Sequence, residues 1–201
     1  MEYHVAVTGN DQACGSAAEP YRTISRAVQA AQAGDVITVH EGVYRERVNP
    51  VRGGRSDSER ITYQAAAGEH VTIKGSEPVE NWERWEGTVW KTEIPNRFFG
   101  NYNPFEQRLW GDWLIWPEDR SVHAGDVYLN GKSLYEAASR EELLHPAMRT
   151  EGYNPPWTKH REPIPHPEDT LYQWFAEVNG DKTVIYANFQ DADPNEELTE
   201  I

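Results

Sequence analysis

The run Gly34-Asp35-Val36-Ile37-Thr38-Val39-His40-Glu41-Gly42-Val43-Tyr44 decides the fold of the first part of the chain. Two strand-like pieces, rich in β-branched and aromatic residues, stand on either side of a short break. The same texture returns at Ile61-Thr62-Tyr63 and at Val71-Thr72-Ile73, before Lys74-Gly75. Each piece has only three or four residues, too few to bury a face alone, and the segment lacks the Asn-Gly punctuation of a hairpin sheet. Stacking as successive coils of a β-solenoid solves the burial problem, because each coil covers its neighbour's apolar face.

Upstream, Tyr3-His4-Val5-Ala6-Val7 reads as an opening strand and Thr8-Gly9-Asn10-Asp11 as a turn. Pro20-Tyr21-Arg22-Thr23 sets up a helix with Thr23 as N-cap. Ile24, Ala27, Val28 and Ala31 fall at i, i+3, i+4 and i+7, and Gly34 stands where a left-handed terminating residue is wanted. This short amphipathic helix is expected to cap the open end of the solenoid.

Beyond Pro78 the strands lengthen and alternate. Val127-Tyr128-Leu129 and Ser133-Leu134-Tyr135 flank Asn130-Gly131, the strongest hairpin signal in the chain. Leu171 to Glu177 and Thr183 to Asn188 flank Asn179-Gly180-Asp181, with Trp174, Ala176, Val184 and Tyr186 expected on one face. Glu141 to Met148 reads as a brief helix, and Pro155-Pro156 through Pro167 as a long loop of the kind that serves a ligand or a neighbour. The pattern predicts an antiparallel β-sandwich. The expected organisation is 1–77 as helix cap and first coils, 78–195 as sandwich, and 196–201 as a truncated return toward the solenoid.

Composition supports that division. In 201 residues, 38% are hydrophobic and eight are Trp, which is enough for a folded core. The net charge of −14 is uneven: residues 1–77 carry 8 basic against 10 acidic side chains, and residues 78–201 carry 11 against 23. All the Trp residues lie in the second part. Such acidity repels polyphosphates, so nucleic acid is not an expected partner. No apolar run reaches the roughly 18 residues that a membrane helix requires, and no basic, apolar leader precedes Tyr3, so a soluble cytoplasmic protein without a membrane partner is expected.

Cys14 is the single cysteine, which excludes an intrachain disulfide and a thiolate cluster. His40-Glu41-Gly42 lacks the second histidine of a zinc helix, and His160 and His166 lie in the proline-rich loop without ligand spacing. Asp191, Asp193, Asn195 and Glu197 alternate like oxygen ligands but lack the twelve-residue calcium loop. No metal or cofactor is expected.

Sugar contacts are sought among aromatic and polar loop residues, since an indole face suits pyranose C–H groups. Trp113 leads, with Asp112 beside it and His123 next to Gly125-Asp126. The plainer roles are a core Trp beside Leu114 and Ile115, a solvated acid and a satisfied loop histidine. Trp110 and Trp116 read as core or rim, and Asp112, Glu118 and Asp119 as surface acids rather than a catalytic group.

Residues 3–75 resemble the start of right-handed parallel β-helix proteins that act on carbohydrates, through Ala33-Gly34-Asp35-Val36-Ile37 and Gly42-Val43-Tyr44-Arg45-Glu46 among others. Asn96-Arg97-Phe98-Phe99-Gly100, Gly111-Asp112-Trp113-Leu114, Gly125-Asp126-Val127-Tyr128-Leu129-Asn130-Gly131 and Ala187-Asn188-Phe189-Gln190-Asp191-Ala192-Asp193-Pro194-Asn195 resemble family 120 β-xylosidases. The resemblance implies a β-sandwich inserted after the first coils of a β-helix, with Trp113 near the active-site mouth. It also implies retaining, exo-acting removal of xylose from xylooligosaccharides by two carboxyl groups about 5 to 5.5 Å apart. In the family both come from later coils, so no catalytic residue is expected within residues 1–201. A non-catalytic carbohydrate-binding module is the alternative. An interrupted solenoid would also expose strand edges, so self-association through residues 36–73 is expected.

Overall fold

Short parallel strands build the first part of the molecule. In chain order its elements are β1 (Glu2–Val5), α1 (Ile24–Ala30), β2 (Val36–Val39), β3 (Gly42–Arg45), β4 (Thr62–Ala65) and β5 (Val71–Lys74). The computed structural model describes residues 1–111, 121–152, 157 and 160–201, and these fall into two compact units, Met1–Glu77 and Pro78–Ile201. They are mainly β.

In the first unit β1, β2 and β4 form one parallel sheet in that order, while β3 and β5 form a second. Each pair of strands lies over the next in register: Val36 sits beside Thr62, and Gly42 beside Val71. The strands are too short to be stable alone, and their core is completed by α1. Ile24, Ala27 and Val28 of the helix pack with Val5, Ile37, Val39 and Tyr44. Thr23 caps the helix as its side chain accepts from the Arg26 amide at 3.1 Å. Glu46 adds a second cap, its carboxylate accepting from the Ile24 and Ser25 amides at 2.8 and 2.7 Å.

The helix ends one residue before Ala31, which is extended but fully buried. Gly34 is left-handed at φ 87°, yet it serves the turn that closes with Asp35 N–H on the Gln32 carbonyl rather than the helix terminus. The turns between sheets are tied by side chains. His4 Nδ1 lies 3.0 Å from His40 Nε2, with the rings stacked, and His40 Nδ1 meets Glu69 at 3.1 Å. The outer strands remain open: Val43, Tyr63 and Ile73 are 50%, 39% and 54% exposed.

The second unit contains β6 (Glu83–Glu86), β7 (Val89–Pro95), β8 (Tyr128–Leu129), β9 (Lys132–Ser133), β10 (Tyr135–Glu136), α2 (Arg140–Leu144), β11 (Gln173–Val178), β12 (Lys182–Asn188) and β13 (Thr199–Glu200). The large sheet runs β10-β11-β12-β7-β6 and the small one β13-β8-β9. Trp82, Trp90, Phe105, Val127, Leu134, Trp174, Ile185 and Phe189 form one core. Val89, Leu143, Val184 and Tyr186 form another.

Asn130 and Gly131 have φ values of 53° and 80°, which fit the tight turn joining β8 to β9. The second hairpin corrects the expected face. Trp174 lies opposite Ala187 and Ala176 opposite Ile185, so Trp174 and Ala176 share a core with Ile185 and Ala187, while Val184 and Tyr186 face the other way. The turn is two residues, Gly180-Asp181, closed by Asn179 N–H on the Lys182 carbonyl at 2.8 Å. A three-residue turn would have reversed that parity.

Helix α2 is shorter than the expected 141–148. Ser139 starts it by accepting from the Glu142 amide at 3.3 Å. It stops at Leu144 because Pro146 disfavours helical backbone at His145. The ends of this unit meet: Val79 N–H donates to the Thr199 carbonyl at 2.9 Å, and Pro78 bridges to Glu200. Trp82 Nε1 donates to Thr199 Oγ1 at 2.9 Å, which in turn donates to the Val79 carbonyl at 2.6 Å. No helix among the described residues is long and apolar enough to cross a membrane.

Two stability predictions follow from these contacts. The Met1 amine, at 2.7 Å, and the Gln32 amide hold the Asp35 carboxyl below its usual value near 3.8. The stabilisation is therefore complete above that unfolded value and is lost as pH falls through the lower folded value. Asp35→Asn should cost about 1–3 kcal/mol at pH 7 and much less near about pH 2, measured by thermal melting of the 201-residue chain. Trp82→Phe keeps an aromatic ring but removes the indole N–H that Thr199 accepts, and chemical denaturation should show a loss of about 1–3 kcal/mol.

Candidate functional site

A short ribbon carries His123, one of the residues that the sequence singles out for sugar. Leu109 N–H donates to the Val122 carbonyl at 2.8 Å and Ala124 N–H to the Gln107 carbonyl at 2.9 Å, placing Arg108 directly across from His123. The chain between these arms contains Asp112 and Trp113, and those two, with Trp116, Glu118 and Asp119, lie outside the described residues. Trp110 stands at the ribbon's end and is 76% exposed, so it belongs to a rim rather than a core.

The ribbon is seated by its neighbours. Gly125 follows the second arm, and a side chain there would lie 2.6 Å from the Phe105 ring, so the close approach requires glycine. Phe105 packs edge-on against Trp174 at 5.4 Å and against Phe99 at 5.8 Å. Phe99 in turn meets Phe98, which is exposed, as is nearby Tyr102. Aromatic packing thus runs from the core to the surface beside the ribbon.

His123 is brought against Glu136 of β10. The Glu136 carboxylate accepts the His123 amide at 2.9 Å through Oε2 and meets ring Nδ1 at 2.5 Å through Oε1. Their side chains are 24% and 13% exposed. Glu136 is the residue that sequence reasoning misses. Its only signal is a carboxylate in Leu134-Tyr135-Glu136-Ala137, where Leu134 and Ala137 are buried.

Other candidates have structural work. Asp126 accepts from Ser133 Oγ at 2.7 Å and from the Val127 amide at 2.8 Å, tying the β8–β9 hairpin to the segment after the ribbon. Asn195 exchanges two hydrogen bonds of 2.9 Å with the Trp82 backbone, Asp193 accepts from the Asn195 amide, and Glu197 accepts from Asn130. Among the described residues no group of three His, Cys, Asp or Glu side chains is placed to hold a metal ion.

A β-rich unit with an aromatic, loop-borne polar site fits a carbohydrate-active protein. The chain belongs to glycoside hydrolase family 120: residues 79–201 match the family model described as "Glycoside hydrolase 120, insertion domain". Residues 7–50 match a second model, "Protein of unknown function (DUF1565)". The structure "The complex structure of XylC with xylose" is 53% identical with a TM-score of 0.94, covering 100% of this chain and 31% of XylC. The uncharacterized protein YwoF of Bacillus subtilis (strain 168) is 35% identical over 80 residues, 40% of this chain and 17% of YwoF. The chain therefore spans less than a third of the length of either relative.

The positions of the Trp residues give a test of rim against core. Trp110→Ala should change stability by no more than about 0.5 kcal/mol. Trp174→Ala, at a buried residue of the large sheet, should cost about 3–5 kcal/mol in the same denaturation assay.

Proposed function

We propose that this chain is the amino-terminal part of a retaining, exo-acting β-xylosidase that acts on xylooligosaccharides. In this reading it supplies substrate-facing loops, Asp112, Trp113 and His123 among them, while the catalytic carboxyl pair comes from outside residues 1–201. The observation that carries the reading is the 53% identity to XylC, a protein solved with xylose, over the whole chain. The stacked parallel strands of the first unit support its place as the first coils of a β-helix.

A retaining hydrolase needs one carboxyl group that keeps its proton near neutral pH beside one that is ionised. Asp35, Glu69 and Glu93, the described carboxyl groups displaced from their ordinary range, are all pulled toward the ionised form, each chiefly by a hydrogen bond it accepts. Asp11 and Glu46 spend their oxygens on backbone amides around α1. A cytoplasmic site of action belongs to the same proposal.

Hydrolysis of an aryl β-xyloside and of xylobiose by the purified 201-residue chain tests the central claim. The expected result is no release above a buffer blank, with xylobiose binding still detectable by ligand-observed NMR. Turnover that Asp112→Asn abolishes would place the catalytic acids within this chain and overturn the proposal. Light scattering over a range of concentrations should show self-association through the open edges of β4 and β5, and a strict monomer would count against that part.

A further inference from the structure

We infer that one side of the ribbon, bearing Arg108, Trp110 and His123, is a sugar-contact surface, and that Glu136 is its positioning residue. The inference rests on the reading of this chain as the substrate-facing part of a family 120 enzyme.

Ribbon geometry pairs Arg108 with His123 and carries Trp110 two residues beyond Arg108. Arg108 and His123 are paired across the strands, and the hydrogen bonds on either side belong to their neighbours. Residues so paired stand on the same side, with Cα atoms about 4.5 Å apart. Trp110, two residues beyond Arg108, returns to that side by the strand's alternation. An exposed indole, a guanidinium and an imidazole within a few residues' span give a pyranose what it needs: an apolar face for its C–H groups and polar groups for its hydroxyls.

Glu136 decides which atom of His123 is offered. An ionised carboxylate only accepts, and its Oε2 is taken by the His123 amide. Oε1 then takes a proton from Nδ1, so the neutral ring carries its hydrogen there and keeps its lone pair on Nε2. Because the two ring nitrogens diverge, Nε2 is directed away from Glu136. It has no hydrogen-bond partner among the described residues. Nε2 is therefore the atom that the ring offers to a sugar hydroxyl. A histidine oriented by a carboxylate also suits a metal ion, but a metal needs further ligands and the described residues assemble no such group.

The test uses the 201-residue chain labelled with 15N-histidine, with xylose and xylobiose as probes. Before sugar is added, the His123 resonances should report the Nδ1–H form, and sugar should move the Nε2 signal. Trp110→Ala and Glu136→Ala should each weaken xylobiose binding about tenfold. Glu136→Gln, whose amide oxygen still accepts one bond, should recover most of it. Adding Glu136→Ala to His123→Ala should cost nothing further, because Glu136 acts through the ring. Thermal melts check that each variant is folded, and Glu136→Gln carries the test if Glu136→Ala is not. An Nε2–H ring in the unsubstituted chain, additive losses in the double variant, or an unmoved Nε2 signal with sugar bound would overturn the inference. Absence of any binding by the unsubstituted chain would instead overturn the proposed function beneath it.

Discussion

The second unit depends on burying both faces of one strand. Lys182–Asn188 runs through the middle of the large sheet, and every residue of it after Lys182 is buried. Ile185 and Ala187 face the aromatic core, while Val184 and Tyr186 face the core beneath α2. A strand sealed on both sides cannot shift by one residue without exchanging the two sets. That constraint fixes the position of Trp174 opposite Ala187, and with it the edge strand Tyr135–Glu136 that runs beside Gln173 and Trp174. Glu136 reaches His123 from that edge, so the polar site inherits its geometry from a register set deep in the sheet.

Much of this was legible in the residues. Thr23 and the spacing of Ile24, Ala27 and Val28 give the helix, and Asn130-Gly131 gives its hairpin, because both signals are local and few backbone shapes satisfy them. The pairing of Trp174 turns on whether Asn179 belongs to the turn or to the strand, a difference of one residue that the Asn179-Gly180-Asp181 run does not mark. The β6–β7 hairpin at Gly87-Thr88 carries no Asn-Gly or Asp-Gly pair to mark it. The site was harder still. His123 stands out as a loop histidine, but Glu136 becomes visible only when the ribbon and β10 are brought together by partners far along the chain.

Carboxylates account for another gap between sequence and structure. With 33 acidic residues among 201, most read as solvated surface. Yet Asp11, Asp35, Glu46, Glu69 and Glu136 each accept a backbone amide, and for Glu46 and Glu69 the amide lies more than twenty residues away. These acids work as acceptors that close irregular loops, a task that leaves no periodic trace. Composition alone would assign them to repulsion.

The meeting of Pro78–Val79 with Thr199–Glu200 has a consequence for how such a unit can be carried by another chain. A domain whose entry and exit strands are hydrogen-bonded neighbours presents its host with a gap hardly wider than a tight turn. The host backbone loses little freedom in spanning it, however many residues lie between the two ends, because the insert has already closed the loop. Structure of this kind can be gained, lost or exchanged in evolution with little disturbance on either side of the joint.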